Sequence, residues 1–202
     1  MIETLEQAGR LLQSWRGRRK WWRVLARHSA VAIPMREGDR GLEILMIERA
    51  HREGDRWSGH MAFPGGMLHP DDADSLAGAM RETREEIGVD LARQGRLLTR
   101  LSDIGSISHI GHRRPLIIHP YVFAVDQELS LRLNHEVAGT VWVPLRHLAD
   151  PSNRSVMDWY HGKRRLRLSF YMYAEKRIWG LSLRMIDELM RSLASEAAMD
   201  EH

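Results

Sequence analysis

Gly65-Gly66-Met67-Leu68-His69-Pro70-Asp71-Asp72, the run Ala73 to Met80, and Arg81-Glu82-Thr83-Arg84-Glu85-Glu86-Ile87-Gly88-Val89 form one continuous segment. A Pro64-Gly65-Gly66 turn leads into a helix that ends at Gly88, a residue type suited to the left-handed C-terminal cap. At ~100° per residue, Glu82, Glu85 and Glu86 share an arc of about 100°, while Leu76, Met80, Thr83 and Ile87 gather roughly 140° away. Gly78, one turn before Glu82, leaves space where a side chain would project. Carboxylates at i, i+3 and i+4 repel one another and need compensation. A solvated face relieved by Arg81 and Arg84 is one form of it. A hard divalent cation, Mg²⁺ or Mn²⁺, is the other. The glycine turn favours the cation, because its backbone can approach a metal or phosphate closely and offer carbonyl oxygens.

On the N-terminal side, His60 to Phe63 is a short apolar run. Before it, Ser29 to Met35 and Leu42 to Ile47 read as two strands around a Glu37-Gly38-Asp39 turn. Leu5, Ala8, Leu12 and Trp15 mark an amphipathic helix over residues 4 to 16, followed by a basic-aromatic segment, Arg16 to Arg27. On the C-terminal side, strand-like segments recur at Leu97 to Leu101, Pro115 to Val125 and Thr140 to Val143, and an amphipathic helix spans Leu181 to Ala194. Strands on both sides of one central helix, with helices at the ends, predict an α/β fold: an α/β/α sandwich around a mixed β-sheet. Residues 1–28 read as an N-terminal helical and basic extension, and 29–202 as the main domain with its C-terminal helix.

The 202 residues suit one domain, and a 43% apolar share suffices for a core. Net charge is only +3, and most of the 30 basic residues are arginine, a planar donor matched to phosphate oxygens. Cysteine is absent, which excludes disulfides, thiolate zinc sites and a cysteine nucleophile. Met1 to Gln13 carries acidic residues and no continuous apolar run, so a secretory signal is not expected and a cytoplasmic enzyme is. No stretch approaches the ~18 apolar residues needed to span a bilayer, so no membrane partner is expected.

The Gly65–Val89 segment resembles the Nudix box: Gly, five residues, Glu, seven residues, then Arg-Glu-aliphatic-x-Glu-Glu-x-Gly-aliphatic. Gly66, Arg81, Glu82, Glu85, Glu86, Gly88 and Val89 match it. Asp72 stands at the first glutamate position, one extra residue precedes Arg81, and Thr83 replaces an aliphatic. The aspartate and the extra residue are themselves similar to the coenzyme A pyrophosphatase branch of that family. Leu45-Met46-Ile47-Glu48-Arg49-Ala50 with Gly59 to Gly66, then Asn134-His135-Glu136-Val137, Trp142-Val143-Pro144-Leu145 and Ile178 to Ser182, resemble other signatures of the branch. Ile47, Ala50 and His69 depart from them.

The resemblance implies a Nudix fold and a metal-dependent pyrophosphohydrolase using Mg²⁺ or Mn²⁺. It implies Glu82, Glu85 and Glu86 as metal-binding carboxylates, with the Gly66 carbonyl beside them. Arg81 would hold a carboxylate of the helix and Asp72 would secure the turn. The implied substrate is a small diphosphate, coenzyme A or an acyl derivative, cut to phosphopantetheine and adenosine 3′,5′-bisphosphate. Another nucleoside diphosphate derivative, or a non-catalytic ligand-sensing or RNA-binding role, is the alternative. Glu136, on a loop before a strand, is the candidate general base, with a structural carboxylate capping that loop as the other reading. Arg49, Arg113 and Arg114 are candidate phosphate contacts, and Phe63, Met61 and Trp57 are candidates for a groove around the pantetheine arm. Nucleic acid is not the expected partner, and a homodimer is left open.

Other features carry less. His109-Ile110-Gly111-His112 spells a tetrapeptide of nucleotidyl-transferring synthetases but lacks their strand-helix context. Trp15, Trp21 and Trp22 among basic residues fit packing on the core better than base stacking. Lys163-Arg164-Arg165 reads as a solvated turn.

Overall fold

The computed structural model describes residues 2, 4–54, 57–106, 115–125, 128–161 and 164–197. In chain order the elements are α1 (Leu5–Ser14), β1 (Arg27–Gly38), β2 (Gly41–Arg49), β3 (Met61–Ala62), β4 (Gly65–Met67) and α2 (Ser75–Ile87). Then come α3 (Leu91–Gln94), β5 (Gly95–Arg100), β6 (Ile104–Ser106), β7 (Leu116–Val125), β8 (Val137–Pro144) and α4 (Leu145–Ala149). The last are β9 (Arg154–His161), β10 (Arg164–Tyr173), β11 (Lys176–Trp179) and α5 (Gly180–Ala197).

A mixed sheet forms the middle layer in the order β3-β2-β1-β7-β5, with β4 on β1, β6 on β7 and β8 on β2. β1 and β7 run parallel, and the other pairings are antiparallel. Both faces of the central strands are buried, which is why they read as nearly continuous apolar runs rather than strict alternation. Ala30, Ala32, Leu45, Ile47, Tyr121 and Phe123 face one cluster with Ala79 and Ile87 of α2. Val31, Ile33, Met35, Ile44, Met46 and Val122 face the other, against Ala8 and Leu12 of α1 and Ile186 and Leu189 of α5. The period of two along each strand sorts neighbouring residues onto opposite faces. The α/β/α sandwich expected from the sequence is therefore present.

β1 also places the functional turn. Its C-terminal residues Met35 to Gly38 pair with β2, and its Ser29 to Val31 pair with β4. Where β2 diverges, the Gly-Gly segment takes over the free edge of β1, directly under α2.

The structure differs from the sequence expectation in several places; Gly65 and Gly66, expected in a turn, form strand β4 on β1. The β1–β2 turn is not Glu37-Gly38-Asp39: Glu37 pairs with Leu42 and Gly38 with Gly41, leaving Asp39 and Arg40 as the loop. Gly41 at φ 83° supplies the left-handed residue that closes it. The antiparallel sheet β9–β10–β11 was not expected at all, and Arg164 and Arg165 open β10 instead of lying in a turn. Arg165 pairs with Tyr160 across the hairpin and binds Asp158 at 2.7 Å. Lys163 lies outside the described residues. This sheet meets the core through only a few residues, Tyr171 and Ile178 among them, so its apolar signal is weak.

Candidate active site

α2 begins at Asp74, whose side chain accepts from the Ala77 N–H, and stops at Gly88, left-handed at φ 74°. Ala79, Thr83 and Ile87 are buried against the sheet, and Leu76 and Met80 pack beside them. The opposite edge carries the carboxylates, but unequally. The side chain of Glu85 is 53% exposed and that of Glu82 17%, while Glu86 is 3% exposed overall. A glutamate buried to that extent needs partners. Oε2 of Glu86 accepts the Gly65 N–H at 2.8 Å.

The two glycines of the turn serve different contacts. A Cβ on Gly65 would lie 2.3 Å from the Ala30 carbonyl oxygen and 2.6 Å from Val31 Cα, so the strand pairing itself requires glycine. A Cβ on Gly66 would lie 2.5 Å from the Glu82 carboxyl, so here the carboxylate occupies the space. The space expected at Gly78 is likewise filled, since a Cβ would meet Leu68 at 2.4 Å and Asp72 at 2.9 Å. The turn packs onto the helix at that point and leaves no opening for a ligand.

Arg81 organises the cluster. Its guanidinium takes both oxygens of Asp72 at 2.9 and 3.1 Å, Glu82 at 2.9 Å, Glu85 at 3.2 Å, and the Met67 carbonyl at 3.2 Å. It therefore ties the turn to the helix and holds two of the three glutamates in position. This bond holds the Asp72 carboxyl below its ordinary range.

The remaining members arrive from far along the chain. The Glu86 and Ile87 carbonyls, left without helical partners at the end of α2, accept from the Asn134 and Arg132 N–H groups at 2.9 Å each. This pins the loop carrying Glu136 to the helix. Glu136 is fixed further by its own N–H to the Asn134 side chain at 2.8 Å and by an ion pair with Arg52 at 2.8 Å. Arg49, at the end of β2, completes the wall. Arg49, Gly65, Gly66, Glu82, Glu85, Glu86, Asn134 and Glu136 line one cavity.

Burial in this half-closed site raises the proton affinity of Glu86 and Glu82. Burial, opposed by the Gly65 N–H and reinforced by Glu82 and Glu136, pushes Glu86 up to about 7. Burial also raises Glu82, against the hydrogen bond from Arg81. A divalent cation relieves the same repulsion that a proton relieves. Among the described residues, no three histidine, cysteine, aspartate or glutamate side chains already converge so as to hold an ion alone. The donors present fit Mg²⁺ or Mn²⁺ nonetheless, because such ions take one or two carboxylates and complete their shell with water, substrate phosphate or a carbonyl such as that of Gly66. The Glu82 carboxyl lies against the Cα side of Gly66, so the helix carboxylate and the glycine backbone border the same space.

Of the expected site residues, the structure brings Glu82, Glu85, Glu86, Arg81, Gly66, Arg49 and Glu136 together. Phe63 does not join them. At 3% exposure it packs in the core, as does Met61 at 4%, so neither forms a groove. Trp57 stays 49% exposed, beside His60 and Trp179. Arg113 and Arg114, and the His109-Ile110-Gly111-His112 tetrapeptide, lie outside the described residues. Arg52 and Asn134 were missed. Asn134, two residues before Glu136, carried a usable signal as an Asx turn, whereas nothing local marked Arg52.

A family model described as the NUDIX domain matches residues 26–160. The chain is 38% identical over 110 residues to an uncharacterized protein of Schizosaccharomyces pombe, covering 54% of this chain and 33% of that protein, so it spans about a third of that relative's length. It is 27% identical over 168 residues to an uncharacterized Nudix hydrolase, NudL, of Photorhabdus laumondii subsp. laumondii, covering 83% of this chain and 85% of that one. It is 28% identical over 171 residues to the mitochondrial coenzyme A diphosphatase of Homo sapiens, covering 82% and 69%. Among solved structures, a C. elegans Ap4A hydrolase binary complex superposes with a TM-score of 0.56 at 16% identity, over 86% of this chain and 99% of that one. That likeness bears on the fold alone.

Proposed function

From the premise that this chain belongs to the Nudix family and is a pyrophosphatase of that family, we propose that it hydrolyses the diphosphate of coenzyme A or an acyl-coenzyme A. The products would be phosphopantetheine and adenosine 3′,5′-bisphosphate. The observation that carries the choice of substrate is the likeness to the human coenzyme A diphosphatase across 82% of the chain. Glu82, Glu85, Glu86 and the Gly66 carbonyl would hold a divalent cation. When bound, it would neutralise diphosphate oxygens and acidify the water that attacks phosphorus.

The chain's own residues do the rest. Arg81 keeps Glu82 and Glu85 in place through two charge-assisted hydrogen bonds. Arg49 shares the cavity with the carboxylates and supplies a cation to the diphosphate itself. Glu136 takes the proton of the attacking water, with Arg52 fixing its carboxylate. At saturating Mg²⁺, Glu136→Gln should lower kcat far more than it raises KM. A nearly unchanged kcat would reduce Glu136 to a structural carboxylate on its loop.

Substrate choice has its own test. Coenzyme A carries a ribose 3′-phosphate that dephospho-coenzyme A lacks, and a charge-assisted contact to it contributes about 1.5–3 kcal/mol. Coenzyme A should therefore be cut at least about tenfold more efficiently. Because Arg49 lies among the carboxylates, Arg49→Ala should slow both substrates alike, whereas Arg113→Ala or Arg114→Ala should narrow the gap. Equal rates on both substrates, or faster cleavage of ADP-ribose or a dinucleoside polyphosphate, would overturn coenzyme A as the substrate and leave the hydrolase intact.

A further inference from the structure

The segment from Arg16 to Arg27 is built onto the core and still turns Trp21, Val24 and Leu25 to solvent. Its backbone is fixed by Arg18 N–H to Ser102 Oγ at 2.8 Å, Asp103 N–H to the Arg18 carbonyl at 2.8 Å, and Lys20 N–H to Asp103 at 2.9 Å. Gly17 lies so close to the Leu101 backbone that a Cβ there would come within 2.5 Å. The two adjacent tryptophans then part ways. Trp22 packs on Gly105, where a Cβ would meet its ring at 2.9 Å, and Trp21 is 88% exposed. Trp21 to Leu25 is a 3₁₀ turn, in which residues three apart eclipse. Trp21 and Val24 are therefore aligned, and Leu25, about a third of a turn further on, is exposed as well; Val24 and Leu25 are 84% and 69% exposed.

Cations lie beside Trp21, at one end of this apolar turn. Arg18, Arg19, Lys20, Arg184 and Arg191 line the adjoining cleft, and among the described residues none of them makes an ion pair. The acidic groups of the cleft are already committed: Asp103 to Arg100 and His119, Asp187 to Arg154, and Glu188 to the Trp15 indole and the Ser102 N–H. Glu188, held by neutral donors, keeps its negative charge against these five cations, so the cleft is positive on balance.

We propose that this surface docks the protein on an anionic phospholipid bilayer, with the cations on headgroup phosphates and Trp21, Val24 and Leu25 in the interfacial layer. Interfacial binding combines apolar burial with attraction of Lys and Arg to anionic lipid, and this surface offers both at one place. A second copy of the chain would bring like charges together. A nucleic acid would stack on Trp21 but leave the aliphatic Val24 and Leu25 in water. No described helix is long and apolar enough to cross a membrane, so the contact is peripheral, and it departs from the expectation of no membrane partner.

The test is cosedimentation of the full chain with vesicles of phosphatidylcholine alone and of phosphatidylcholine mixed with phosphatidylglycerol. The chain should bind the mixed vesicles only, and more weakly as salt rises. Val24→Asp with Leu25→Asp should lower that binding at least about tenfold, as should Arg18→Glu with Arg19→Glu, each with unchanged hydrolysis and Tm. Failure to bind the mixed vesicles, or equal binding to phosphatidylcholine alone, would overturn the proposal. So would tight binding of a single-stranded RNA oligomer that is lost with Trp21→Ala but untouched by the Val24 and Leu25 changes.

Discussion

Glu86→Gln should lower turnover by about 10³-fold, ~4 kcal/mol of transition-state stabilisation, while making the metal-free protein more stable at neutral pH. The two effects share one cause. Burial and the neighbouring carboxylates raise this group from an ordinary 4.5 to about 7 in the fold. Below pH 4.5 the folded and unfolded chains both carry the proton, and the site costs nothing. As pH rises toward 7 the unfolded chain loses its proton first, so stability falls, and above 7 the whole cost remains. Wild type without Mg²⁺ should lose roughly 1–3 kcal/mol across that interval, and Glu86→Gln should not. Mg²⁺ should restore the wild type and do little for the variant. Glu85→Gln should impair turnover with little change in stability, because Glu85 is half exposed. Denaturant titrations across pH, with and without Mg²⁺, check this. Near wild-type turnover in Glu86→Gln would remove the helix from the metal site.

The adjacent glycines should fail in opposite ways. Gly65→Ala presses a methyl against the Ala30 carbonyl and Val31 Cα, which are backbone atoms of the central strand and cannot move aside. A loss of about 3–4 kcal/mol is expected, seen as a lowered Tm. Gly66→Ala meets only the carboxylate end of Glu82, a flexible side chain that can change rotamer. Stability should stay within about 1 kcal/mol, but the displaced carboxylate should lower turnover by about 100-fold. Equal destabilisation by the two substitutions would show that the Glu82 contact is not what holds Gly66 to glycine.

The glutamate-bearing helix α2 was legible because it is local. Its acidic face, apolar face and glycine stop depend on a 3.6-residue period that any window of the chain displays, and the solved geometry repeats them at Ser75–Ile87 and Gly88. The β9–β11 sheet was overlooked although Arg165, Leu166, Arg167 and Leu168 alternate with a strand's period of two, because this stretch is largely exposed and begins in a run of basic residues that suits a solvated turn. Phe63 was misjudged for a related reason. A short apolar run shows that a strand has a buried face without showing which residues point into it, and Phe63, just past β3, lies in the core at 3% exposure.

By itself, the sequence determined the helix, the three glutamates on one edge of it and the resemblance to one family's box. Tertiary structure alone decided that Glu86 is buried and Glu85 exposed, because the edge of β1 receives Gly65 and Gly66 beneath that side of the helix. It also decided that Arg49, Arg52 and Glu136 join them. Arg52 and Glu136 are 84 positions apart, and they meet because β2 pairs with β8 while the last carbonyls of α2 take N–H groups from the loop before β8. Sequence spacing sets contacts along one helix, and contacts between strands depend on which apolar faces the whole chain succeeds in burying together.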